Sequence, residues 1–232
     1  TNIIGGQNVI DAAMEQGVKK IIALSTDKAA APINLYGATK LCSDKLFVAA
    51  NNYSGKHKIT FSVVRYGNVM GSRGSVIPFF LSQADKDILP ITDARMTRFM
   101  ITLEEGVDLV WHAFDDMEGG EIYVKKIPSI NIIDVARASV PEAQHEIVGI
   151  RPGEKLHEQM IGFEDAPHTY EYPEYYKILP AIHNWSQDPL RISGGKLVHP
   201  NFTYSSDNNS DWMSIEALSN WIEQNREKIG KI

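Results

Sequence analysis

The sequence predicts an α/β protein built on a parallel sheet. Short apolar runs of strand length alternate along the 232 residues with longer segments of helical periodicity. The apolar run Ile21–Leu24 ends in the polar residues Ser25–Lys28, and the run Ile59–Tyr66 ends in a glycine-rich loop. In open parallel sheets, ligands bind at the carboxyl ends of the strands. We therefore expect the functional residues at these two strand ends.

The first elements form a helix–strand–helix–strand series. Residues 3–16 are amphipathic and are followed by Gly17, a residue that readily takes the left-handed conformation closing a helix. A buried strand is expected over Lys19–Ser25, a helix over Tyr36–Asn51 and a second strand over Ile59–Tyr66, which is rich in β-branched and aromatic residues. This order indicates one half of a doubly wound sheet.

The later elements follow from the same two periodicities. Helices are expected over Val76–Lys86, Leu103–Met117 and Asn131–Val140, with a last one beginning at Ser214. Strands are expected over Met96–Thr102 and Glu121–Val124, an extended turn over Leu89–Asp93, and a strand, a Pro-Gly turn and a helix start over Ile147–Glu158. Thr102 is the expected N-cap of the helix that follows it.

Composition narrows the classes of function. A net charge of −6 and a pI near 5.6 argue against a nucleic-acid-binding surface. The single cysteine, Cys42, excludes an internal disulfide, fits a reducing cytoplasm and is expected to pack in the core. The seven His show no metal-ligand spacing, and no apolar run reaches the length of a membrane helix. The chain starts at Thr1, without Met and directly in a helix, so we expect it to be truncated.

The first candidate site pairs a phenol with an amine. Tyr36 and Lys40 are four residues apart in a helical segment, which places both on one helix face. A cation beside a phenol favours the phenolate, a form that can act as a base. The Tyr-x-x-x-Lys spacing also arises by chance, so the argument depends on the strand that ends in Ser25-Thr26 just before it.

These motifs resemble a known family. The segments Ser25–Ala29, Pro32–Lys40 and Ser43–Phe47 are similar to the extended short-chain dehydrogenase/reductases, and within them to the inverting UDP-N-acetylglucosamine 4,6-dehydratases of the pseudaminic acid pathway. The resemblance implies a Rossmann-like doubly wound parallel sheet, a UDP-sugar substrate, NADP and a homo-oligomer. Ala31 departs from relatives that often carry Asn there, and we expect no chemical consequence.

The resemblance also implies a domain organisation. Residues 1–75 would be the second half of an NADP-binding Rossmann domain with the catalytic motif. Residues 76–232 would mainly bind the UDP-sugar, as a smaller α/β part, with some segments returning to the Rossmann sheet. The G-x-G-x-x-G fingerprint of such domains is absent from the sequence, so the first half is expected to be missing and this chain alone to hold NADP poorly.

Roles carried over by resemblance fall into three sets. The catalytic set is Thr26, Asp27, Lys28 and Tyr36, in which Tyr36 is the base for C4 oxidation and Asp27 and Lys28 serve the elimination across C5 and C6. The cofactor set is Tyr36, Lys40, Ser25, Val69, Met70, Gly71, Ser72 and Arg73. The substrate set is Asn68, Val76, Thr92, Arg98, Arg151 and Glu154; a guanidinium suits a diphosphate, and a carboxylate suits ribose hydroxyls.

Simpler interpretations remain open at this point. Asp27 and Lys28 could form a plain loop ion pair, Arg151 and Glu154 a surface pair, and the glycines from Gly67 to Gly74 an ordinary turn. A UDP-sugar 4-epimerase would need Thr26, Tyr36 and Lys40 but no acid and base directed at C5 and C6. A non-catalytic fragment or interaction module is the third alternative, because the cofactor fingerprint is absent.

Overall fold

The structure, a computed structural model, describes residues 1–55 and 58–231. The seven α-helices among these residues are α1 Asn2–Glu15, α2 Leu35–Tyr53, α3 Val76–Leu81, α4 Leu103–Asp116, α5 Ile132–Ser139, α6 Pro189–Ile192 and α7 Ile215–Asn225. The strands are β1 Lys20–Thr26, β2 Thr60–Tyr66, β3 Asn68–Val69, β4 Ile88–Ile91, β5 Thr97–Ile101, β6 Ile122–Lys125, β7 Ser129–Asn131, β8 Gln144–Ile147, β9 Gln159–Ile161, β10 Thr169–Glu171, β11 Tyr175–Ile178, β12 Lys196–Leu197 and β13 Tyr204–Ser205.

The chain divides into two compact units, each made of three segments. The first unit contains Thr1–Tyr66, Val107–Lys126 and Gln159–Tyr204, and the second contains Gly67–Gly106, Ile127–Glu158 and Ser205–Ile232. The expected boundary after residue 75 falls inside the second unit. Two later segments, Val107–Lys126 and Gln159–Tyr204, belong to the first unit.

The first unit is organised around a six-stranded sheet in the order β1-β2-β6-β11-β10-β12. Strands β1, β2 and β6 are parallel, and β11, β10 and β12 continue the sheet in antiparallel pairing. Neighbouring residues of a strand face opposite sides of a sheet. Phe61 of β2 contacts Phe47 of α2, whereas Val64 packs with Leu109 of α4. Helices therefore cover both faces, as in a doubly wound sheet.

The second unit combines short strands with three helices. Strand β5 lies between β3 and β7, and β4 pairs in parallel with β8. Its core is formed mainly by residues of α3, α5 and α7 together with β4 and β5; the largest of these side chains are Ile77, Phe80, Leu89, Ile91, Met96 and Met100. Ser214 caps α7, which confirms the last helix predicted to begin there, and Leu218 and Ile222 of α7 are buried.

Two helix ends confirm the sequence reasoning. Thr102 and Glu105 form a capping box: Glu105 N–H donates to Thr102 Oγ1 at 3.1 Å, and Thr102 N–H donates to Glu105 Oε2 at 2.8 Å. Gly17 follows α1 with φ +68°, the left-handed conformation predicted for it. Both ends follow from local chemistry, which is why the sequence was sufficient to predict them.

Three local predictions are wrong. Leu89–Asp93 is not only a turn, because β4 extends to Ile91 and pairs with β8. No helix begins within 147–158: β8 ends at Ile147, Gly149 has φ +91°, and a residue before proline disfavours the α conformation. Cys42 is exposed rather than packed, because it lies on the outer side of α2.

Neither a membrane-spanning helix nor a metal-binding cluster is found among the described residues. None of the helices within 1–55 and 58–231 combines the length and apolar character needed to cross a membrane. The same residues contain no group of three or more His, Cys, Asp or Glu side chains arranged to hold a metal ion.

Candidate active site

The carboxyl end of β1 runs into a 3-10 turn, Asp27–Ala29, so that Thr26 ends the strand and the turn holds two further predicted catalytic residues, Asp27 and Lys28. Thr26 Oγ1 donates to Asp27 Oδ1 at 2.9 Å, and Lys28 Nζ donates to the same oxygen at 3.0 Å. The Lys28 backbone N–H donates to Thr26 Oγ1 at 3.4 Å, which caps the turn. The side chains of Thr26, Asp27 and Lys28 therefore form one connected cluster.

Burial is unequal within this cluster. The Asp27 side chain is 0% exposed, while the Lys28 side chain is 33% exposed. Asp27 Oδ2 has no hydrogen-bond partner among the described residues. A carboxylate in this environment depends on Lys28 and Thr26 to stabilise its charge. The Lys28 amine is directed to Asp27 Oδ1.

Helix α2 brings Tyr36 and Lys40 to the same strand end. Asn34 caps the helix by accepting a hydrogen bond from Gly37 N–H at 2.8 Å. Lys40 Nζ donates to the Leu24 carbonyl of β1 at 2.6 Å. The pKa of Tyr66 is raised above its ordinary value, first because burial disfavours its phenolate and second because the Tyr36 phenol lies nearby. Tyr36 itself is 51% exposed and accessible to a substrate.

Gly37 allows α2 to approach closely to the turn Asp27–Ala29, called the catalytic turn below. A Cβ atom on Gly37 would lie 2.2 Å from the Lys28 carbonyl oxygen and 3.0 Å from Pro32 Cβ. Any side chain at this position would therefore push the turn away from Tyr36. The sequence argument missed Gly37, although glycine inside a helix is costly enough to signal a packing reason.

Ser25 has a different partner from the one expected. Its hydroxyl, in a side chain buried below the sheet end, donates to Asp44 Oδ2 at 2.7 Å. Arg65 Nη2 donates to the same oxygen at 3.2 Å. The geometry favours a structural role for Ser25 over the cofactor contact implied by resemblance. Neither Asp44 nor Arg65 was predicted as functional, although a charged residue inside an apolar strand was a signal for Arg65.

The glycine-rich loop after β2 belongs to the second unit. Met70 is 4% exposed and lies in the core of that unit, so its side chain packs with apolar residues rather than facing a cofactor. Gly71 has φ +70°, and a Cβ there would lie 2.9 Å from the Trp221 ring. Arg73 is exposed, and Val69 and Ser72 are half-buried. Of the loop residues predicted to border a cofactor, Arg73 is therefore the most accessible.

Arg98 is buried and bonded to the backbone. Its guanidinium donates to the carbonyls of Thr97, Lys155 and Leu156 at 2.7, 3.1 and 3.2 Å. Ion-pair distances of 3.9 and 4.0 Å join it to Glu154 and Glu158. These contacts fix the loop that carries Arg151, so the geometry favours an indirect contribution of Arg98 to substrate binding.

The expected Arg151–Glu154 pair differs in detail from a side-chain ion pair. The Arg151 backbone N–H donates to Glu154 Oε2 at 3.3 Å, and Glu154 N–H donates to the Arg151 carbonyl at 3.1 Å. These bonds close the predicted Pro-Gly turn, and Arg151 is exposed.

The other predicted substrate contacts lie elsewhere in the second unit. Thr92 Oγ1 donates to Met96 Sδ at 3.3 Å, while Val76 packs against the core of the second unit. Asn68 forms part of β3 and is half-buried.

The fold and the site define the class of protein. A parallel α/β sheet whose strand end carries Ser-Thr, followed by a helix with Tyr-x-x-x-Lys, is the arrangement of a Rossmann-like protein of the extended short-chain dehydrogenase/reductase type. The chain belongs to the family described as polysaccharide biosynthesis protein, whose model matches residues 1–180.

Particular relatives are similar over most of the chain. Two Campylobacter jejuni proteins named UDP-N-acetylglucosamine 4,6-dehydratase (inverting) are 57% identical over 226 and 227 residues, which is 94% of this chain and 67% of each relative. A Rickettsia conorii protein named UDP-glucose 4-epimerase is 40% identical over 90% of this chain and 62% of its own length. The X-ray structure of Pen from Bacillus thuringiensis superposes with a TM-score of 0.85 at 35% identity, covering 97% of this chain and 68% of that one.

Proposed function

We propose that the protein containing this chain is an inverting UDP-N-acetylglucosamine 4,6-dehydratase. The reaction oxidises the sugar at C4, eliminates water across C5 and C6 and returns hydride to C6. The product is UDP-2-acetamido-2,6-dideoxy-β-L-arabino-hexos-4-ulose. The observation that carries the proposal is the 3.0 Å pair between buried Asp27 and Lys28, on the turn that touches the Tyr36 helix. The 57% identity to relatives of that name supports it.

The first step requires a base at the C4 hydroxyl. Tyr36 is accessible for this role, and Lys40, whose ammonium donates to the Leu24 carbonyl, is the candidate cation beside the phenol. The Thr26 hydroxyl donates its proton to Asp27 Oδ1 at 2.9 Å. The C4 hydroxyl has a single proton, which must face Tyr36 to be removed, so Thr26 would assist by turning its own proton from Asp27 to the C4 oxygen.

The elimination requires a base at C5 and an acid at C6. Once C4 is a ketone, its electron withdrawal makes the C5 proton acidic. Transfer of a proton from Lys28 Nζ to Asp27 Oδ1, which lie 3.0 Å apart, yields a neutral amine and a neutral carboxylic acid. The amine of Lys28 can then remove the C5 proton, and Asp27 or the newly protonated Lys28 can protonate the departing C6 hydroxyl. Return of a proton to the opposite face of C5 gives inversion.

The cofactor of this proposal is NADP, which takes up hydride from C4 and supplies it at C6. Lys40 donates one N–H to the Leu24 carbonyl and has further N–H donors for ribose hydroxyls. Tyr36, on the same helix face, is exposed. These two residues therefore fit the nicotinamide end of the cofactor. Val69, Gly71, Ser72 and Arg73 are the further candidates for cofactor contacts. The choice of NADP over NAD rests on the family resemblance.

For substrate binding we assign the UDP portion to the second unit. Arg151 would bind the diphosphate. It is exposed, and it lies on a turn that is closed by a hydrogen bond to Glu154. Arg98 would act by fixing this turn. Asn68, Val76 and Thr92 are the remaining candidates for contacts with the nucleotide sugar. We further propose that the enzyme is a cytoplasmic homo-oligomer.

Incubation of the full-length protein with UDP-N-acetylglucosamine in deuterated water tests the function. The expected product is lighter than the substrate by one water and carries deuterium at C5, as read by mass spectrometry and NMR. An unchanged mass with no deuterium would rule the dehydratase out.

A UDP-sugar 4-epimerase is the second candidate, favoured by the 40% identity to a relative of that name. It would return an isomer of equal mass and would tolerate Lys28→Ala, because epimerisation needs no acid and base at C5 and C6. A non-catalytic fragment, the third alternative, would show no cofactor binding by the full-length protein at high concentration.

A further inference from the structure

A buried ion pair lies directly beneath the candidate active site. Arg65 Nη2 and Asp44 Oδ2 are 3.2 Å apart, and the two side chains are 3% and 1% exposed. Arg65 belongs to β2, and Asp44 lies one helical turn beyond Lys40 on α2. Tyr36, Lys40 and Asp44 therefore share one face of the helix.

The pair connects to the catalytic turn from two further sides. Ser25, which immediately precedes Thr26, donates to Asp44 Oδ2 at 2.7 Å. Arg65 Nη1 donates to the Met160 carbonyl of β9 at 2.7 Å, and β9 packs against the turn Asp27–Ala29. One guanidinium and one carboxylate thus join the start of the catalytic turn, strand β9 and helix α2.

Stability alone is a poor explanation for this arrangement. Burying two charges costs free energy that their attraction often fails to recover, and an apolar pair of similar volume is frequently as stable. In the described part of the chain, Asp44 Oδ1 and Arg65 Nε have no hydrogen-bond partner, which adds to the cost. The directional geometry of the planar guanidinium is what an apolar pair cannot supply.

We propose that Arg65 and Asp44 are positioning residues that set the placement of Asp27 and Lys28 relative to Tyr36. This inference rests on the proposed function, in which Asp27 and Lys28 act as acid and base in the elimination across C5 and C6. Neither residue touches the substrate: each acts through the turn and the helix. Small displacements of reacting groups are sufficient to lower a rate, with about 1 Å costing on the order of a hundredfold.

The test variant combines Asp44→Asn with Arg65→Met in the full-length protein. It removes both charges of the buried pair together, and Asn can still accept from Ser25. The carboxylate of Asp165, 28% exposed and 3.9 Å from Arg65 Nη1, loses a neighbouring cation but keeps contact with solvent. We expect kcat to fall by about ten- to a hundredfold with KM for UDP-N-acetylglucosamine within about twofold of wild type, since substrate binding is assigned elsewhere. The control is Asp116→Asn with Lys177→Met, an ion pair of the first unit between α4 and β11 at 2.8 Å, in which Lys177 is 1% and Asp116 21% exposed. The control is expected to keep wild-type kcat.

A kcat of the test variant within twofold of wild type, in a folded protein, would overturn the proposal. If the test variant does not fold, as judged by thermal unfolding, Arg65→Lys decides the matter. Lysine keeps the charge but cannot bond Asp44 and Met160 with a planar fork, so a lowered kcat at unchanged KM supports positioning and a wild-type kcat overturns it. Because wild-type enzyme is assayed in parallel, failure of the proposed function itself would be seen as absence of activity in every sample.

Discussion

At the scale of single residues, the candidate site depends on a carboxylate that has little contact with water. Asp27 is fully buried and shares its Oδ1 between the Lys28 amine and the Thr26 hydroxyl. Removing the amine leaves this carboxylate without its countercharge, and it also removes the candidate base for C5. The two effects can be separated by measuring folding and turnover on the same variant.

Lys28→Ala is expected to lower the kcat for dehydration by roughly two to four orders of magnitude, the usual range for loss of a positioned acid or base. Product formation followed by mass spectrometry gives the rate. Lys45→Ala, at an exposed lysine on α2, is the control and should leave kcat unchanged. Full dehydration activity of Lys28→Ala would contradict the assignment of Lys28 as the base for C5.

Gly37→Ala is expected to be destabilising by about 1–3 kcal/mol and to lower kcat at least tenfold, because the added methyl would overlap the Lys28 carbonyl and displace the turn. Chemical denaturation and steady-state kinetics measure the two effects. Gly5→Ala is a matched control inside α1: a Cβ there meets nothing within 4 Å, so alanine should stabilise by about 0.5–1 kcal/mol. Equal behaviour of the two variants would show that Gly37 is not needed for close approach.

At the scale of elements, the connection from the catalytic turn to α2 contains a strained residue. Ala31 has φ +46°, in the left-handed region that L-residues other than Asn, Asp and Gly rarely adopt. Asn adopts this conformation more readily than Ala does. The departure noted in the sequence therefore has a conformational consequence, although no chemical one is expected.

Ala31→Asn is expected to raise the free energy of unfolding by up to about 1 kcal/mol and to leave kcat unchanged. Urea denaturation measures the change. Ala84→Asn serves as the comparison, because Ala84 is exposed and has an ordinary negative φ, so no gain is expected. A loss of stability in Ala31→Asn would mean that the left-handed conformation is not the source of strain.

At the scale of the whole molecule, the first unit contains tyrosines that resist ionisation. Burial, the largest cause, raises the pKa of Tyr175 and of Tyr176 to about 12 from 10.0. Because the folded pKa lies above the unfolded one, the unfolded chain loses these protons first as pH rises. Their contribution to stability is complete below pH 10 and is lost between pH 10 and 12.

The free energy of unfolding is therefore expected to fall as pH rises from about 10 to about 12. Tyr176→Phe removes one of the ionising groups and should flatten this dependence. Tyr53→Phe, at a residue that is 50% exposed, is the control and should leave the slope unchanged. Urea denaturation at a series of alkaline pH values measures the slope, and identical slopes in all three proteins would contradict the prediction.

The sequence predicted the elements that depend on local patterns. The periodicity of α1, α2 and α4, the Thr102 cap and the strand that ends in Ser25-Thr26 were all readable, because their causes lie within a few residues of chain. The segment after Ile147 was misread as a helix start because its Pro-Gly turn is followed by a helix-like composition. The pairing of β4 with β8 was missed because such pairing joins distant segments.

The sequence alone therefore determined the class of fold, the helix face shared by Tyr36 and Lys40, and the adjacency of Thr26, Asp27 and Lys28. Only the tertiary structure decided where the other polar groups point. Ser25 turns to Asp44, and Arg65 reaches the carbonyl of Met160, 95 residues away along the chain. A buried polar group must find a partner in space, and the nearest partner in space is set by how strands and helices pack.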